Sequence, residues 1–247
     1  MRLFPYLAGP LSTMNILITG ASKGIGKAIA EKFGSEGHAL FLSARDPVRL
    51  GQAGAELRHR FPNIRVESHA ADLARKEAVQ ALAAWALQGA GGAPDVLVNN
   101  AGIYLPGSLA TEADGNLEEL MAVNLYGAYH LTRALLPALT TRGQGHIFNM
   151  CSVASVQASD KGGAYSISKY ALLGFSRNLR EEMKPHGIKV TAVIPGAVYT
   201  SSWAGSGVEP ERLIAPEDIA DLVYAASQLS SRTVVEDILI RPRLGDL

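Results

Sequence analysis

Residues 14–26 read MNILITGASKGIG, an apolar run followed at once by three glycines and the start of an amphipathic stretch. Ile16–Thr19 has the continuous hydrophobicity of a strand that is buried on both faces. Gly20 permits a tight turn, Gly24 lets the backbone approach a pyrophosphate, and Gly26 lets helix and strand pack closely. An ordinary strand-to-helix turn fits a lone glycine triplet as well. At a first strand–helix junction, however, the pattern favours a nucleotide phosphate held at the helix N-terminus.

Short apolar runs and amphipathic stretches alternate along the rest of the chain. The predicted strands are Ile16–Thr19, Ala39–Ser43, Ile64–Ser68, Val96–Asn99, His146–Met150, Lys189–Ile194 and Asp237–Ile240. The predicted helices are Ile25–Ser35, Arg49–Arg60, Lys76–Ala86, Leu117–Leu139, Tyr165–Lys184 and Pro216–Ala226. This alternation predicts an α/β fold: a single Rossmann-like, doubly wound domain with a parallel sheet of about seven strands and helices on both faces.

We expect residues 14–247 to form this one dinucleotide-binding and catalytic domain. Residues 1–13 contain two prolines and precede the first clear strand, so we interpret them as a flexible extension or an upstream start. They lack the long apolar region of a signal peptide. Ligands of such sheets bind beyond the carboxyl ends of the strands, and the motifs below all fall there.

Composition excludes several function classes. The 247 residues carry 23 basic and 23 acidic side chains, so neither nucleic acid nor an anionic membrane is an expected partner. No apolar run reaches the roughly 18 residues of a membrane-spanning helix. The single cysteine, Cys151, cannot form an internal disulfide and suits a reducing cytoplasm. We expect a cytoplasmic protein without a metal site, in which Cys151 is a small buried hydrophobe.

The end of the second strand, Ser43-Ala44-Arg45-Asp46, bears on the choice of dinucleotide. A carboxylate at this strand tip binds the ribose 2′-hydroxyl of NAD, whereas a cation accommodates the 2′-phosphate of NADP. Arg45 and Asp46 are neighbours, so both interpretations are open. Lys23 adds a second cation in the glycine loop, and Asp46 before Pro47 is a typical helix N-cap. We therefore favour NADP(H) over NAD(H).

Tyr165 and Lys169 are four residues apart on a predicted helix, so both side chains project from one face. An ammonium group stabilises a neighbouring phenolate, which brings phenol acid–base chemistry closer to neutral pH. Tyr165 would then donate a proton to a carbonyl oxygen, or remove one from an alcohol in the reverse direction. Taken alone, the spacing is more typical of a surface pair. Tyr170 lacks a lysine four residues later and is rejected as the acid.

Further motifs occur in a fixed order along the chain. Asn99-Asn100-Ala101-Gly102 closes the fourth strand, and Asn124 lies in the long helix that follows. Ser152 follows the fifth strand, thirteen residues before Tyr165, and Pro195-Gly196 ends the sixth. Together with the glycine loop, this set resembles the short-chain dehydrogenase/reductase family over essentially all of residues 14–247.

The resemblance implies a catalytic centre formed by Asn124, Ser152, Tyr165 and Lys169. Ser152 would stabilise the charge that develops on the substrate oxygen. Lys169 would also hold the nicotinamide ribose, and Asn124 would support a water that leads to the lysine. The alternatives are that Ser152 only caps a turn and that Asn124 only satisfies buried backbone groups.

The resemblance also implies a set of cofactor-binding residues, in which Asp72 meets the adenine ring or instead caps the next helix, and Thr200 contacts the carboxamide. Asn99–Gly102 would either pack against the cofactor or only stabilise the sheet. The full set is Gly20, Ser22, Lys23, Gly24, Ile25, Gly26, Arg45, Asp72, Asn99, Ala101, Gly102, Tyr165, Lys169, Pro195, Gly196, Val198 and Thr200.

The substrate is less well defined than the chemistry. The segment after Pro195-Gly196 is interpreted as a substrate lid, in which Trp203 is either an anchor packed on the protein or a stacking wall for a planar substrate. The predicted substrate-binding residues are Ser152, Tyr165 and Trp203. The phrases PGAVYT, APEDIA and SRTVVEDILIRP are similar to bacterial members of the family described as sepiapterin reductases. This implies a pterin side-chain carbonyl, or a related ketone or diketone, reduced with NADP(H). The alternatives are an NAD-dependent alcohol dehydrogenase, a non-catalytic dinucleotide-binding module and a role dominated by self-assembly as a homodimer or homotetramer.

Overall fold

A computed structural model describes residues 13–159, 162–200, 203 and 207–246. Except for Thr13, the expected extension lies outside these residues. The strands are β1 (Asn15–Thr19), β2 (Ala39–Ala44), β3 (Val66–Ala70), β4 (Val96–Asn99), β5 (Gly145–Met150), β6 (Ile188–Pro195) and β7 (Asp237–Ile240). The helices are α1 (Gly24–Ser35), α2 (Pro47–Arg60), α3 (Lys76–Ala90), α4 (Asn116–Met121), a π-helix (Ala122–Gly127), α5 (Ala128–Arg142), α6 (Gly163–Met183) and α7 (Pro216–Ser227).

The seven strands form one parallel sheet in the order β3-β2-β1-β4-β5-β6-β7. Strand order reverses between β1 and β4, which places a crevice at their carboxyl ends. The pairing of Ile16 with both Leu40 and Val96 sets the register at the centre of the sheet. The predicted doubly wound α/β fold is therefore confirmed.

Alternate side chains of the central strands face two separate cores. Ile16 and Ile18 of β1 pack in the core beneath α1, α2 and α7, whereas Leu17 packs in the core beneath α3, α5 and α6. Because both faces are covered, β1, β2 and β6 are almost continuously apolar and easy to recognise from the sequence.

Several element bounds differ from the predicted ones; α3, for example, ends at Ala90 and not at Ala86. Two of the differences have a clear physical reason or consequence. β3 begins two residues later than predicted, because only its first residue, Val66, is buried and an edge strand carries a weak apolar signal. The helix predicted over Leu117–Leu139 is interrupted by the π-helix, so it is wrong as one continuous α-helix. None of the helices in the described ranges is both long and apolar enough to cross a membrane.

Candidate active site

The glycine loop is fixed against the end of β4 by Thr19 and Asn100. The Thr19 Oγ1 atom accepts hydrogen bonds from the Asn100 and Ala101 backbone N–H groups, both at 3.0 Å. The Asn100 side-chain amide donates to the backbone oxygens of Thr19 at 2.9 Å and Gly20 at 3.3 Å. Thr19 was not among the predicted site residues, and Asn100 was predicted only as part of the Asn99–Gly102 turn.

Two glycines of this loop leave no room for a side chain. Gly20 has a φ of +67°, and a Cβ there would lie 2.8 Å from the Asn100 amide nitrogen. A Cβ on Gly26 would lie 2.4 Å from the Gly20 carbonyl oxygen. The loop opens α1, a helix of 12 residues that starts with no side-chain cap. The glycines leave backbone exposed at the N-terminus of a helix that no side chain caps, and this arrangement fits a dinucleotide pyrophosphate.

Arg45 and Asp46, at the end of β2, have different structural roles. The Asp46 carboxylate caps α2: it accepts from the backbone N–H groups of Val48 at 2.9 Å and Arg49 at 3.1 Å. Its second oxygen lies 3.3 Å from the Arg49 Nε atom. Arg45 is exposed, and no residue in the described ranges pairs with its guanidinium. The carboxylate is thus occupied by the helix, whereas the cation points to solvent beside the glycine loop.

Tyr165 lies in the first turn of α6, and Lys169 lies one turn further on the same face. The Lys169 Nζ atom is 5.9 Å from the centre of the Tyr165 ring, and the lysine is only 5% exposed. One Nζ hydrogen is donated to the Met150 carbonyl oxygen at 2.8 Å. An ammonium group has three donors, so two remain for acceptors that the described residues do not supply. A buried ammonium in need of acceptors fits a cofactor ribose beside it.

Asn124 lies within the π-helix and is buried. Its side chain accepts from the Ile103 N–H at 2.8 Å and donates to the Ile103 carbonyl at 3.1 Å and to the Ser168 hydroxyl at 3.0 Å. Asn124 thus satisfies buried backbone, as the alternative interpretation held, and it also links the β4 loop to α6. π-Helical turns are rare and frequently lie at functional sites. At Gly102, a Cβ would lie 3.1 Å from the Asn124 Oδ1 atom and 3.5 Å from the Lys169 Nζ atom.

Ser152 follows β5 and caps the short 3₁₀-helix Val153–Ser155. Its Oγ atom accepts from the Ala154 N–H at 3.1 Å, and its own N–H donates to the Ser155 hydroxyl at 3.1 Å. Ser152 therefore caps this 3₁₀-helix, as one of the two interpretations of its role held. This role leaves the hydroxyl hydrogen available, because capping uses the oxygen only as an acceptor. Ser152 and Tyr165 are both partly exposed, and none of the described residues hydrogen-bonds the Tyr165 hydroxyl.

Several other predicted residues have clear structural partners. Asn99 is buried, and its amide donates to Thr132 at 3.0 Å and to Asn149 at 2.8 Å, which stabilises the sheet. The Asp72 carboxylate accepts from the Ala74 N–H at 3.1 Å and closes the turn before α3. The alternative interpretation, that Asp72 caps α3, is wrong, because the N-cap of α3 is Arg75.

Cys151 is buried beside Ser176, and burial raises the pKa of its thiol to about 11. A thiol with this pKa is protonated at neutral pH, so it is not an activated nucleophile.

The segment after β6 turns back over the glycine loop. Pro195 and Val198 are buried, and a Cβ on Gly24 would lie 3.3 Å from the Thr200 methyl group. Val198 forms a β-bridge with Ile214, which closes the base of this segment. Trp203 is partly buried, and its N–H donates to the Thr200 carbonyl at 3.0 Å. The rest of the expected lid, residues 201–202 and 204–206, lies outside the described residues.

Two further residues near Tyr165 were missed by sequence reasoning. Tyr104 packs its ring against that of Tyr165 at 4.8 Å and 87°, and is 52% exposed. The Glu112 carboxylate accepts from the Ala164 N–H at 3.0 Å, at the start of α6. Both residues belong to the loop between β4 and α4, and no local pattern in the sequence connects that loop to α6.

Comparison with known proteins identifies the family. Residues 14–209 match the family model described as short chain dehydrogenase. A sepiapterin reductase of Chlorobaculum tepidum is 35% identical over 94% of this chain and 97% of its own. The chain belongs to the short-chain dehydrogenase family.

Two solved structures of oxidoreductases are similar to this chain. A metagenomic short-chain oxidoreductase in complex with NADP is 36% identical, with a TM-score of 0.81 over 95% of this chain and 99% of that one. L-sorbose reductase from Gluconobacter frateurii, complexed with NADPH and L-sorbose, is 30% identical, with a TM-score of 0.85 over 94% and 96% of the two chains. The present short-chain dehydrogenase is therefore an oxidoreductase, and the predicted resemblance is confirmed.

Proposed function

We propose that this protein reduces a carbonyl group of a small molecule with NADP(H), and that Tyr165 is the general acid. The observation that carries the proposal is the arrangement on α6: the Tyr165 phenol, whose hydroxyl has no hydrogen-bond partner among the described residues, shares one face of the helix with the buried Lys169 ammonium. Ser152, at the end of β5, adds a hydroxyl donor. These residues fit the reduction of a carbonyl better than hydrolysis, because none of the described residues around them is an activated nucleophile.

Each residue has a defined task in this reaction. Bound NADPH would supply the hydride that reaches the carbonyl carbon. Ser152 donates a hydrogen bond to the carbonyl oxygen, and Tyr165 gives that oxygen a proton as negative charge develops on it. Lys169 stabilises the phenolate that remains, and its two remaining donors would hold the ribose hydroxyls of the dinucleotide. Asn124 positions Ile103 and α6 around this centre.

The preference for NADP(H) rests on Arg45 and Asp46. A 2′-phosphate needs a cation, whereas a free 2′-hydroxyl is bound by a carboxylate. Asp46 is engaged by the N-terminus of α2, and Arg45 is exposed. Both relatives described above in complex with a dinucleotide carry NADP or NADPH, which supports the same choice.

For the substrate, we propose a pterin side-chain carbonyl or a related small ketone or diketone. The sepiapterin reductase relative, matched over 97% of its length, supports this class. Tyr104, packed against Tyr165 and half exposed, offers an aromatic face to a planar substrate.

A cytoplasmic location stays a prediction that rests on the single cysteine.

A homodimer or homotetramer is also proposed. Leu117, Tyr126, Ile167 and Tyr170 are large apolar residues that are each at least 38% exposed along α4, the π-helix and α6. Neighbouring exposed apolar groups are typical of protein interfaces. The mass in solution, measured by light scattering, tests this assembly without bearing on catalysis.

The experiment that tests the function is a panel of sepiapterin, diketones and simple ketones, followed by oxidation of NADPH and, separately, NADH. Reduction with a higher kcat/KM for NADPH is expected. A preference for NADH together with alcohol oxidation would instead identify an NAD-dependent alcohol dehydrogenase. Tight binding of NADPH without turnover of any carbonyl would identify a non-catalytic binding module.

A further inference from the structure

The residues that follow β7 fold back over the carboxyl end of β6. We call residues 241–246 the C-terminal strap. The Gly245 N–H donates to the Pro242 carbonyl at 2.8 Å, and the Arg241 guanidinium pairs with the Asp246 carboxylate. These contacts close the strap into a compact turn at the edge of the candidate active site.

Arg212 attaches the strap to the segment that covers the glycine loop. Its guanidinium donates to the carbonyl oxygens of Gly245 at 2.8 Å, Asp246 at 3.1 Å and Leu244 at 3.5 Å. Arg212 lies two residues before Ile214, whose N–H donates to the Ala197 carbonyl at 2.9 Å. A planar guanidinium with five donors is suited to gathering several carbonyl groups.

The strap also touches two parts of the candidate active site directly. A Cβ on Gly196, a predicted cofactor-binding residue, would lie 2.8 Å from the Asp246 Oδ1 atom and 2.9 Å from the Pro242 ring. The Arg241 guanidinium donates to the Gln157 side chain at 3.1 Å. Gln157 lies in the turn just after the 3₁₀-helix that Ser152 caps. The strap therefore bridges the Ser152 turn and the segment after β6.

We propose that Arg212 is a positioning residue for carbonyl reduction and that it acts through the C-terminal strap. It holds Gly196 and the Ser152 turn at the spacing that the substrate requires. Since small displacements of reacting groups cost large factors in rate, loosening this bridge lowers turnover more than it lowers stability. The kinetic consequence of this proposal rests on the proposed function, whereas the claim that Arg212 holds the strap in place does not.

The test compares four variants: Arg212→Ala, Arg212→Lys, a chain that ends at Arg243, and Arg243→Ala as the matched control. Within the described residues Arg243 is exposed and makes no side-chain contact that the strap depends on. We expect Arg212→Ala and the shortened chain each to lower kcat/KM for the carbonyl about tenfold, mainly through kcat, with the melting temperature little changed. Arg212→Lys should recover part of the loss, because an ammonium still donates to a carbonyl.

Two further measurements separate positioning from general damage. Arg212→Ala should add little to the effect of shortening the chain, because the shortened chain already lacks the carbonyl groups that Arg212 contacts. Hydrogen exchange of residues 207–215 should rise in both variants and not in Arg243→Ala. If Arg212→Ala matches Arg243→Ala within twofold in kcat/KM and in exchange, the proposal is wrong. If the wild type turns over no carbonyl, the proposed function fails, while the exchange data still decide whether the strap holds this segment.

Discussion

The glycine loop and the segment formed by residues 197–200 and 207–214 lie next to each other over the sheet, yet they are held in place in different ways. The loop is fixed by backbone groups in close approach, with Gly20 and Gly26 too crowded for any side chain. The segment is fixed by a β-bridge between Val198 and Ile214 and by Arg212, whose guanidinium binds the C-terminal strap. The loop's glycines form a short recognisable motif, and its partner Asn100 belongs to a second one, Asn99–Gly102, whereas the residues that hold the segment form no local pattern. The chemistry is therefore easier to predict than the substrate.

The largest effect is expected at Tyr165 on α6, the predicted general acid. Tyr165→Phe removes only the hydroxyl and should lower kcat about 1,000-fold, since general acid catalysis contributes factors of this order. Affinity for NADPH should change little. Tyr170→Phe, on the same helix but exposed, is the control. Steady-state rates together with NADPH titration check this, and turnover of Tyr165→Phe within a fewfold of wild type would refute the assignment.

A smaller effect is expected where the loop is most crowded. Gly26→Ala places a Cβ 2.4 Å from the Gly20 carbonyl oxygen, so the loop has to shift. We expect NADPH affinity to fall about 30-fold, the equivalent of roughly 2 kcal/mol of overpacking. Gly51→Ala is the matched control, because nothing lies within 4 Å of its added carbon. Calorimetric titration of both variants measures the difference, and equal affinities would show that the loop does not bind the cofactor.

The dinucleotide preference should respond to Arg45. Arg45→Asp places a carboxylate where the cation stood, so kcat/KM with NADPH relative to NADH should fall about tenfold. Asp46→Asn is the companion change and should preserve the preference, because Asp46 serves α2 as a cap. Initial rates with both dinucleotides provide the test. A preference unchanged in Arg45→Asp would remove the reason for favouring NADP(H).

The smallest effect is expected at Cys151. Because burial raises the pKa of this thiol to about 11, the group is neutral from pH 7 to pH 9. Iodoacetamide should therefore label it slowly in the folded protein at pH 8 and quickly after unfolding. Cys151→Ala should keep kcat within a fewfold. Rapid labelling of the folded protein, detected by mass spectrometry, would contradict the inert role.

Most of the fold could be predicted because the central strands are buried on both faces. The edge strand β3 was misplaced by two residues, since only Val66 is buried there. The π-helix around Asn124 could not be predicted, because its sequence has no signal that separates it from an α-helix.

At the site, residues whose roles depend on local spacing were predictable, such as Tyr165 and Lys169. Tyr104, Glu112 and Arg212 were not, because their partners lie far away in the chain. Which side chains meet across such distances depends on how the loops pack, and a single sequence does not reveal that. The assignment of the predicted site residues to catalysis and cofactor binding stays a prediction until the variants are measured.

The most direct test of the central claim is isotope transfer from NADPH deuterated at C4 on the face that the enzyme uses. The wild-type protein is incubated with its best carbonyl substrate, and the product is analysed by mass spectrometry. We predict one deuterium on the carbinol carbon with wild type and Tyr170→Phe, and almost none in the same time with Tyr165→Phe. An unlabelled product, or equal labelling by Tyr165→Phe, would contradict hydride transfer assisted by Tyr165.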